Sequence, residues 1–152
     1  KKLAKIVKEC RDIPGKELFQ YYDESGKRRS IDSGSVNEYI KASSGMDISA
    51  KDFRLWAGSL NILRSFKSMG QALTQTMCKH NVLMALDQVS AKLGNTRTVC
   101  RKYYVHPGLI RLYEENNIEK YLKELDNLEK PDNRTGLTKE ENVLMKILKQ
   151  FH

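Results

Sequence analysis

Three helix signals follow one another closely in the stretch LGNTRTVCRKYYVHP, residues 93–107. Gly94 predicts the end of a long helix, because glycine adopts the left-handed conformation without a steric penalty. Thr96 is suited to cap a short helix that reaches Tyr104, and Pro107 is suited to begin the next helix. Because a helix end, a helix cap and a helix start lie within these fifteen residues, the stretch indicates helices joined by short connections.

The rest of the chain is also patterned for helices, with apolar residues at spacings of three and four between capping residues. The predicted helices run roughly over residues 3–10, 33–44, 49–69, 75–93, 96–104, 107–113, 118–128 and 138–151. In the helix that begins near residue 49, Phe53 and Trp56 are predicted to face the interior. Asp23-Glu24-Ser25-Gly26 indicates a hairpin. The predicted fold class is therefore mainly α, a compact helical domain with one short β-hairpin.

Composition narrows the possible partners and compartments. The chain has 152 residues, enough for one compact domain, and its net charge of +8 suits nucleic acid or an acidic membrane surface. No apolar run approaches the roughly 20 residues that cross a bilayer. Cys10, Cys78 and Cys100 are odd in number and lack a CxxC spacing, which favours reduced, buried thiols in the cytoplasm over a disulfide framework or a zinc site.

The first candidate cluster lies in Lys51-Asp52-Phe53-Arg54-Leu55-Trp56. Lys51 and Arg54 are three residues apart and so share a helix face. Two cations in the first turn oppose the helix macrodipole, and a phosphate would satisfy both the cations and the free backbone N–H groups. The alternative is an ordinary solvated basic face with structural ion pairs.

The second candidate cluster combines an amide, a phenol and several cations. Asn95 follows the glycine that ends a helix, and Tyr104 lies nine residues later, beyond Arg97, Arg101 and Lys102. Nearby cations favour a phenolate, which can attack phosphorus. The alternative for the tyrosine is simple packing. The three histidines, His80, His106 and His152, have no metal-ligand partner at helical spacing, so no metal site is predicted.

The order of these motifs resembles the active-site half of the small bacterial and poxvirus type IB topoisomerases. The resemblance rests on Lys-x-x-Arg before an aromatic residue, on Leu-Gly-Asn-Thr, and on Cys-Arg-Lys-Tyr-Tyr-Val-His-Pro. Two upstream stretches are also similar, residues 11–21 and 35–40. The resemblance implies a fold like that of the tyrosine recombinase and topoisomerase IB catalytic domains, with residues 1–152 forming the C-terminal part of such a domain.

The resemblance also implies roles for individual residues. Tyr104 matches the nucleophile, Arg54 the arginine that grips the scissile phosphate, and Asn95 the position that donates to a phosphate oxygen. Lys51 stands where type IB topoisomerases carry lysine and tyrosine recombinases usually carry histidine. With Lys51, the remaining expected DNA contacts are Arg97, Arg101 and Lys102.

Three departures from the family pattern bear on activity. Leu55 stands where threonine is common, and Arg97 stands where proline is common. The family also uses a second phosphate-gripping arginine and a general-acid lysine, both upstream of the region that this chain resembles. Lys1 and Lys2 do not lie in the motif that carries that lysine. The resemblance therefore implies a fragment with an incomplete active site.

The implied partner is duplex DNA, acted on by a monomer without ATP, a metal or any other small-molecule cofactor. The expected location is the cytoplasm, on the nucleoid. Two alternatives remain at this point: a fragment of a tyrosine recombinase or integrase, and a noncatalytic basic helical module that binds DNA.

Overall fold

The computed structural model describes residues 2–126 and 136–151, which divide between two compact units, Lys1–Ala50 and Lys51–His152. The elements are α1 (Lys2–Arg11), β1 (Gln20–Tyr22), β2 (Arg28–Ser30), α2 (Ser33–Ser44), α3 (Ala50–Met69), α4 (Gln75–Leu93), α5 (Arg97–Val99), α6 (Pro107–Glu114), α7 (Glu119–Asp126) and α8 (Lys139–Leu148). A π-helical turn, Cys100–Tyr104, follows α5, and a 3-10 turn, Lys149–Phe151, follows α8. The mainly α fold class with a short hairpin is confirmed within these described residues.

The first unit contains α1, the hairpin and α2. β1 and β2 pair antiparallel with Gln20 opposite Ser30, and the Asp23 side chain accepts hydrogen bonds from backbone N–H groups of the turn between them. Asp32 caps α2 by accepting from Ser35 N at 2.8 Å, and Gly45 ends it with a φ of 67°.

The hydrophobic core belongs to the second unit. Helices α3, α4, α6, α7 and α8 each contribute buried apolar residues to it, and the cluster runs from Leu60 to Ile147. Tyr113 of α6 stacks on Phe66 of α3 with ring centroids 4.0 Å apart. Its hydroxyl donates to Gly70 O at 2.8 Å and accepts from Asn81 Nδ2 at 2.7 Å, so the buried polar atom is satisfied.

Three predictions need correction or a limit. Phe53 does not face the interior: it is 57% exposed, because the buried face of α3 begins only at Gly58. Cys10 is half-buried rather than buried, whereas Cys78 and Cys100 are buried, and all three thiols are free. The helix predicted over residues 118–128 is observed as α7, and its predicted end lies outside the described residues.

The described residues, 2–126 and 136–151, contain no helix long and apolar enough to cross a membrane. Within the same residues there is no group of three or more His, Cys, Asp or Glu side chains arranged to hold a metal ion.

Glu141 of α8 makes a hydrogen bond to α3. Its Oε1 accepts from Trp56 Nε1 at 2.9 Å, and its Oε2 accepts from Thr138 N at 2.8 Å in a capping box. The Trp56 hydrogen bond, followed by those from Thr138, lowers the pKa of Glu141 below its ordinary value of 4.5. The ionised carboxylate therefore stabilises the contact between the two helices.

This contact predicts a pH dependence of stability. A lowered folded-state pKa contributes stability above the unfolded value, and that contribution is lost as the pH falls through the folded value. We expect Glu141→Gln to cost about 1 kcal/mol at pH 7 and less below pH 4.5, measured by thermal unfolding across this range. Glu24→Gln, a change at an exposed hairpin residue, is the control. A Glu141→Gln cost that stays constant with pH would contradict the assignment.

Candidate active site

The segment from Gly94 to Val105 is built by successive local signals. Gly94 ends α4 with a φ of 64°, and Thr96 Oγ1 accepts from Val99 N at 3.3 Å to begin α5. The helix then widens into the π-helical turn that carries Cys100 through Tyr104. π-helical turns are rare and occur often at functional sites. Sequence reasoning predicted the short helix and its cap, but not the widening.

Arg54 and Asn95 converge on one oxygen atom. Arg54 Nη2 donates to Leu93 O at 2.8 Å, and Asn95 Nδ2 donates to the same carbonyl oxygen at 2.9 Å. The arginine comes from the second turn of α3, and the asparagine follows the C-terminus of α4. Two donors separated by forty residues of sequence are thus brought within reach of a single small acceptor.

Tyr104 lies beside the same guanidinium group. The Cζ atom of Arg54 is 4.6 Å from the centroid of the Tyr104 ring, a cation–π contact. The ring is half-buried and packs against the core, while its hydroxyl has no hydrogen-bond partner among the described residues. Arg54, Asn95 and Tyr104, which we call the triad, are therefore gathered at one place on the second unit.

Arg54 has one donor without an acceptor. Its Nε is buried and makes no hydrogen bond within the described part of the chain. A buried unpaired donor on a charged group is costly, and such groups call for an explanation. Burial raises the pKa of the Cys100 thiol, and the charge of Arg54 partly opposes that rise. Arg54 is therefore a half-buried positive charge, and its Nε–H group is available to donate a further hydrogen bond.

Lys51 and Lys102 flank the neighbouring tyrosine rather than Tyr104. Their Nζ atoms lie 5.3 Å and 5.0 Å from the centroid of the Tyr103 ring. Tyr103 is 41% exposed, so both ammonium groups remain near solvent. The shared face predicted for Lys51 and Arg54 is observed: one lies against Tyr103 and the other against Tyr104.

The other predicted cations lie further along the segment. Arg97, Arg101 and Lys102 line one surface depression beside α4. Arg97 donates two hydrogen bonds of 2.6 Å to the Asp87 carboxylate. These hydrogen bonds raise the pKa of Arg97. Arg97 is therefore already paired, and the structure does not bring it to the triad.

Sequence reasoning missed two residues of α3 that contact this segment. Gly58 lies directly against the backbone of Tyr104, and Ser59 Oγ accepts from His106 N at 3.0 Å. A glycine inside a 20-residue helix, one turn after Arg54, was the available signal. His106 caps α6, because its Nδ1 accepts from Gly108 N at 3.2 Å.

Two comparisons with known proteins bear on the family of this chain. Residues 1–131 match the family described as "Eukaryotic DNA topoisomerase I, catalytic core". The chain is also 27% identical over 117 residues to a protein of Acanthamoeba polyphaga mimivirus named "DNA topoisomerase 1B". That alignment covers 72% of this chain but only 35% of the viral protein, so the chain spans about a third of the relative's length. The family match covers the whole triad and most of the chain, and the chain therefore belongs to the type IB DNA topoisomerase family.

Proposed function

We propose that this chain is the C-terminal part of a catalytic domain that cuts one strand of duplex DNA through Tyr104 and relaxes supercoils. The observation that carries the proposal is the convergence of the triad: two donors on one oxygen, beside the ring of a tyrosine whose hydroxyl has no hydrogen-bond partner within residues 2–126 and 136–151. Family membership supports a topoisomerase over a recombinase, and a noncatalytic module would give no reason for this convergence.

In the proposed reaction, the Tyr104 oxygen attacks a phosphodiester phosphorus. A bond forms between that oxygen and phosphorus while the phenol loses its proton to solvent. The bond to the 5′ oxygen breaks, and the 5′ oxygen takes a proton from a general acid and leaves as a hydroxyl. The product is a 3′-phosphotyrosyl link, which keeps the energy of the broken bond. The free strand rotates, and the 5′ hydroxyl attacks back to reseal the DNA, so the cycle needs neither ATP nor a metal.

Arg54 and Asn95 are proposed to stabilise the transition state. Negative charge grows on the nonbridging phosphate oxygens, and a guanidinium group can meet two of them with its planar fork. The buried Nε of Arg54, which has no acceptor in the described part of the chain, would find one there. Leu93 O accepts hydrogen bonds from Nη2 of Arg54 and from Nδ2 of Asn95. Each oriented donor is typically worth about 2.7–4 kcal/mol in such a site.

Binding to DNA is proposed to rest on phosphate contacts. Lys51, Arg101 and Lys102 are exposed cations around the triad's segment, and Arg97 could join them only by loosening its pair with Asp87. Such contacts release counterions, so affinity should fall steeply with salt. We propose that the protein acts as a monomer on duplex DNA of the nucleoid in the cytoplasm.

We also propose that this chain alone holds an incomplete site. Lys51 and Lys102 lie over the ring of Tyr103 rather than that of Tyr104, and the arginine that lies over the Tyr104 ring is Arg54. The second arginine and the acid would lie in an upstream part of a longer protein, as the coverage of the viral relative allows.

A plasmid relaxation assay tests this proposal. We expect the longer protein to relax supercoiled plasmid without ATP and in the presence of EDTA, and to form a covalent adduct at the 3′ side of a nick. The 152-residue chain alone should relax it at least about 100-fold more slowly, since the proton donor to the leaving group is missing. Equal relaxation by both proteins would show that the site is complete here, and no relaxation by either would refute the proposed activity.

A further inference from the structure

Gly58 of α3 lies near the triad and has no side chain. Gly58 lies inside α3, where glycine destabilises a helix by about 1 kcal/mol relative to alanine. Its backbone is ordinary, so no left-handed conformation requires glycine there. Close approach of another chain segment is the remaining reason for glycine at this position.

That segment is the backbone of Tyr104. A Cβ atom added at Gly58 would lie 1.8 Å from Tyr104 O, 2.8 Å from Tyr104 C and 3.3 Å from Tyr104 Cβ. The first two distances are impossible for real atoms and involve backbone, which cannot simply swing away. Even alanine at position 58 must therefore push the Tyr104 backbone and α3 apart, because the 1.8 Å contact lies more than 1 Å below the shortest separation that real Cβ atoms show.

A second contact anchors the same segment to the next residue of α3. Ser59 is 1% exposed, and its Oγ accepts from His106 N at 3.0 Å. Residues on either side of Val105 are thus held by consecutive residues of one helix. The segment that carries the tyrosine has little freedom to slide along α3.

The spacing along α3 links these contacts to the triad. Gly58 lies four residues after Arg54, so the two share a helix face. The guanidinium of Arg54 lies 4.6 Å from the centroid of the Tyr104 ring. One turn later, the Tyr104 backbone packs directly against Gly58, which has no side chain. A rigid helix therefore sets the separation between the two groups.

From this geometry we infer that Gly58 and Ser59 are positioning residues, which set the place of Tyr104 relative to Arg54. The inference rests on the proposed function of Tyr104 as the nucleophile. Neither residue touches the reacting atoms: Gly58 acts by its lack of a side chain and Ser59 by its hydrogen bond. A displacement of 1 Å at a reacting group can cost about 100-fold in rate.

The first test separates chemistry from binding in the longer protein. We expect Gly58→Ala to slow single-turnover cleavage of a labelled duplex by about 100-fold at saturating DNA. In a Tyr104→Phe background, the same change should leave the Kd for noncovalent binding unaltered. Gly34→Ala is the matched control, because it adds a methyl group to a helical glycine where only the Asp32 side chain lies near, at 3.2 Å.

A milder variant covers the case in which Gly58→Ala fails to fold. Ser59→Ala removes one hydrogen bond and no backbone space, and it should slow cleavage about threefold to tenfold without changing Kd. Wild-type cleavage rates in both variants would overturn the inference. So would a loss of binding that parallels the loss of cleavage, since that is the behaviour of a merely structural residue.

A second test does not depend on activity. In the 152-residue chain labelled with 3-fluorotyrosine, the ¹⁹F resonance of Tyr104 is assigned as the signal that Tyr104→Phe removes. Gly58→Ala should move this resonance, and Gly34→Ala should not. An unmoved resonance would overturn the inference. Absence of any covalent adduct in the wild-type longer protein would instead refute the proposed function, while the resonance still reports where Gly58 places the ring.

Discussion

Tyr104→Phe is expected to abolish the covalent DNA adduct completely in the longer protein. The change removes only the phenolic oxygen, which has no hydrogen-bond partner among the described residues, and keeps the ring that packs on Arg54. Stability and noncovalent binding should therefore be nearly intact, while the atom that would bond to phosphorus is gone. The measurement is capture of labelled duplex on a denaturing gel, with Kd measured separately by a filter or anisotropy assay.

The control is the neighbouring residue. Tyr103→Phe makes the same chemical change one position earlier and keeps the ring that Lys51 and Lys102 contact. It should form the adduct at the wild-type rate. An adduct that persists in Tyr104→Phe and disappears in Tyr103→Phe would move the nucleophile to Tyr103. An adduct that persists in both would exclude either tyrosine and leave a noncatalytic role for the segment.

The second large effect is expected at Arg54. Arg54→Lys keeps one positive charge but loses the planar fork, the Nη2 bond to Leu93 O and the ring contact with Tyr104. Removing one oriented transition-state donor typically costs about 10²–10³-fold in rate. We expect a loss of that size in single-turnover cleavage of duplex by the longer protein, with a much smaller change in Kd because several other cations are proposed to contact DNA.

Arg64→Lys is the matched control for this change. Arg64 lies on the same helix, and its Nε donates to Glu140 Oε2 at 2.7 Å, so its guanidinium is a structural partner of α8. It should alter thermal stability slightly and leave cleavage unchanged. Cleavage by Arg54→Lys at the wild-type rate would remove Arg54 from the proposed chemistry, whereas equal losses in both variants would point to a shared effect on α3.

Local signals accounted for most of the secondary structure. Gly94, Thr96 and Pro107 each act through their own backbone conformation or through an atom two or three residues away, so the helix ends they predict are observed. Phe53 shows the limit of such reasoning. Its helical spacing is correct, but whether that face of α3 is covered depends on what packs against it, and the residue is exposed.

The sequence by itself determined the family and the helical class, and it predicted the triad residues, because these depend on residue types in a fixed order. Only the tertiary structure decided what those residues touch. Arg54 and Asn95 share one carbonyl oxygen, Arg97 is paired with Asp87, and Gly58 makes room for the backbone of Tyr104. Apart from the Asn95–Leu93 bond, which spans two residues, these contacts join residues that are ten to forty-six positions apart. Their distances follow from how α3, α4 and the π-helical turn pack, which no local pattern encodes.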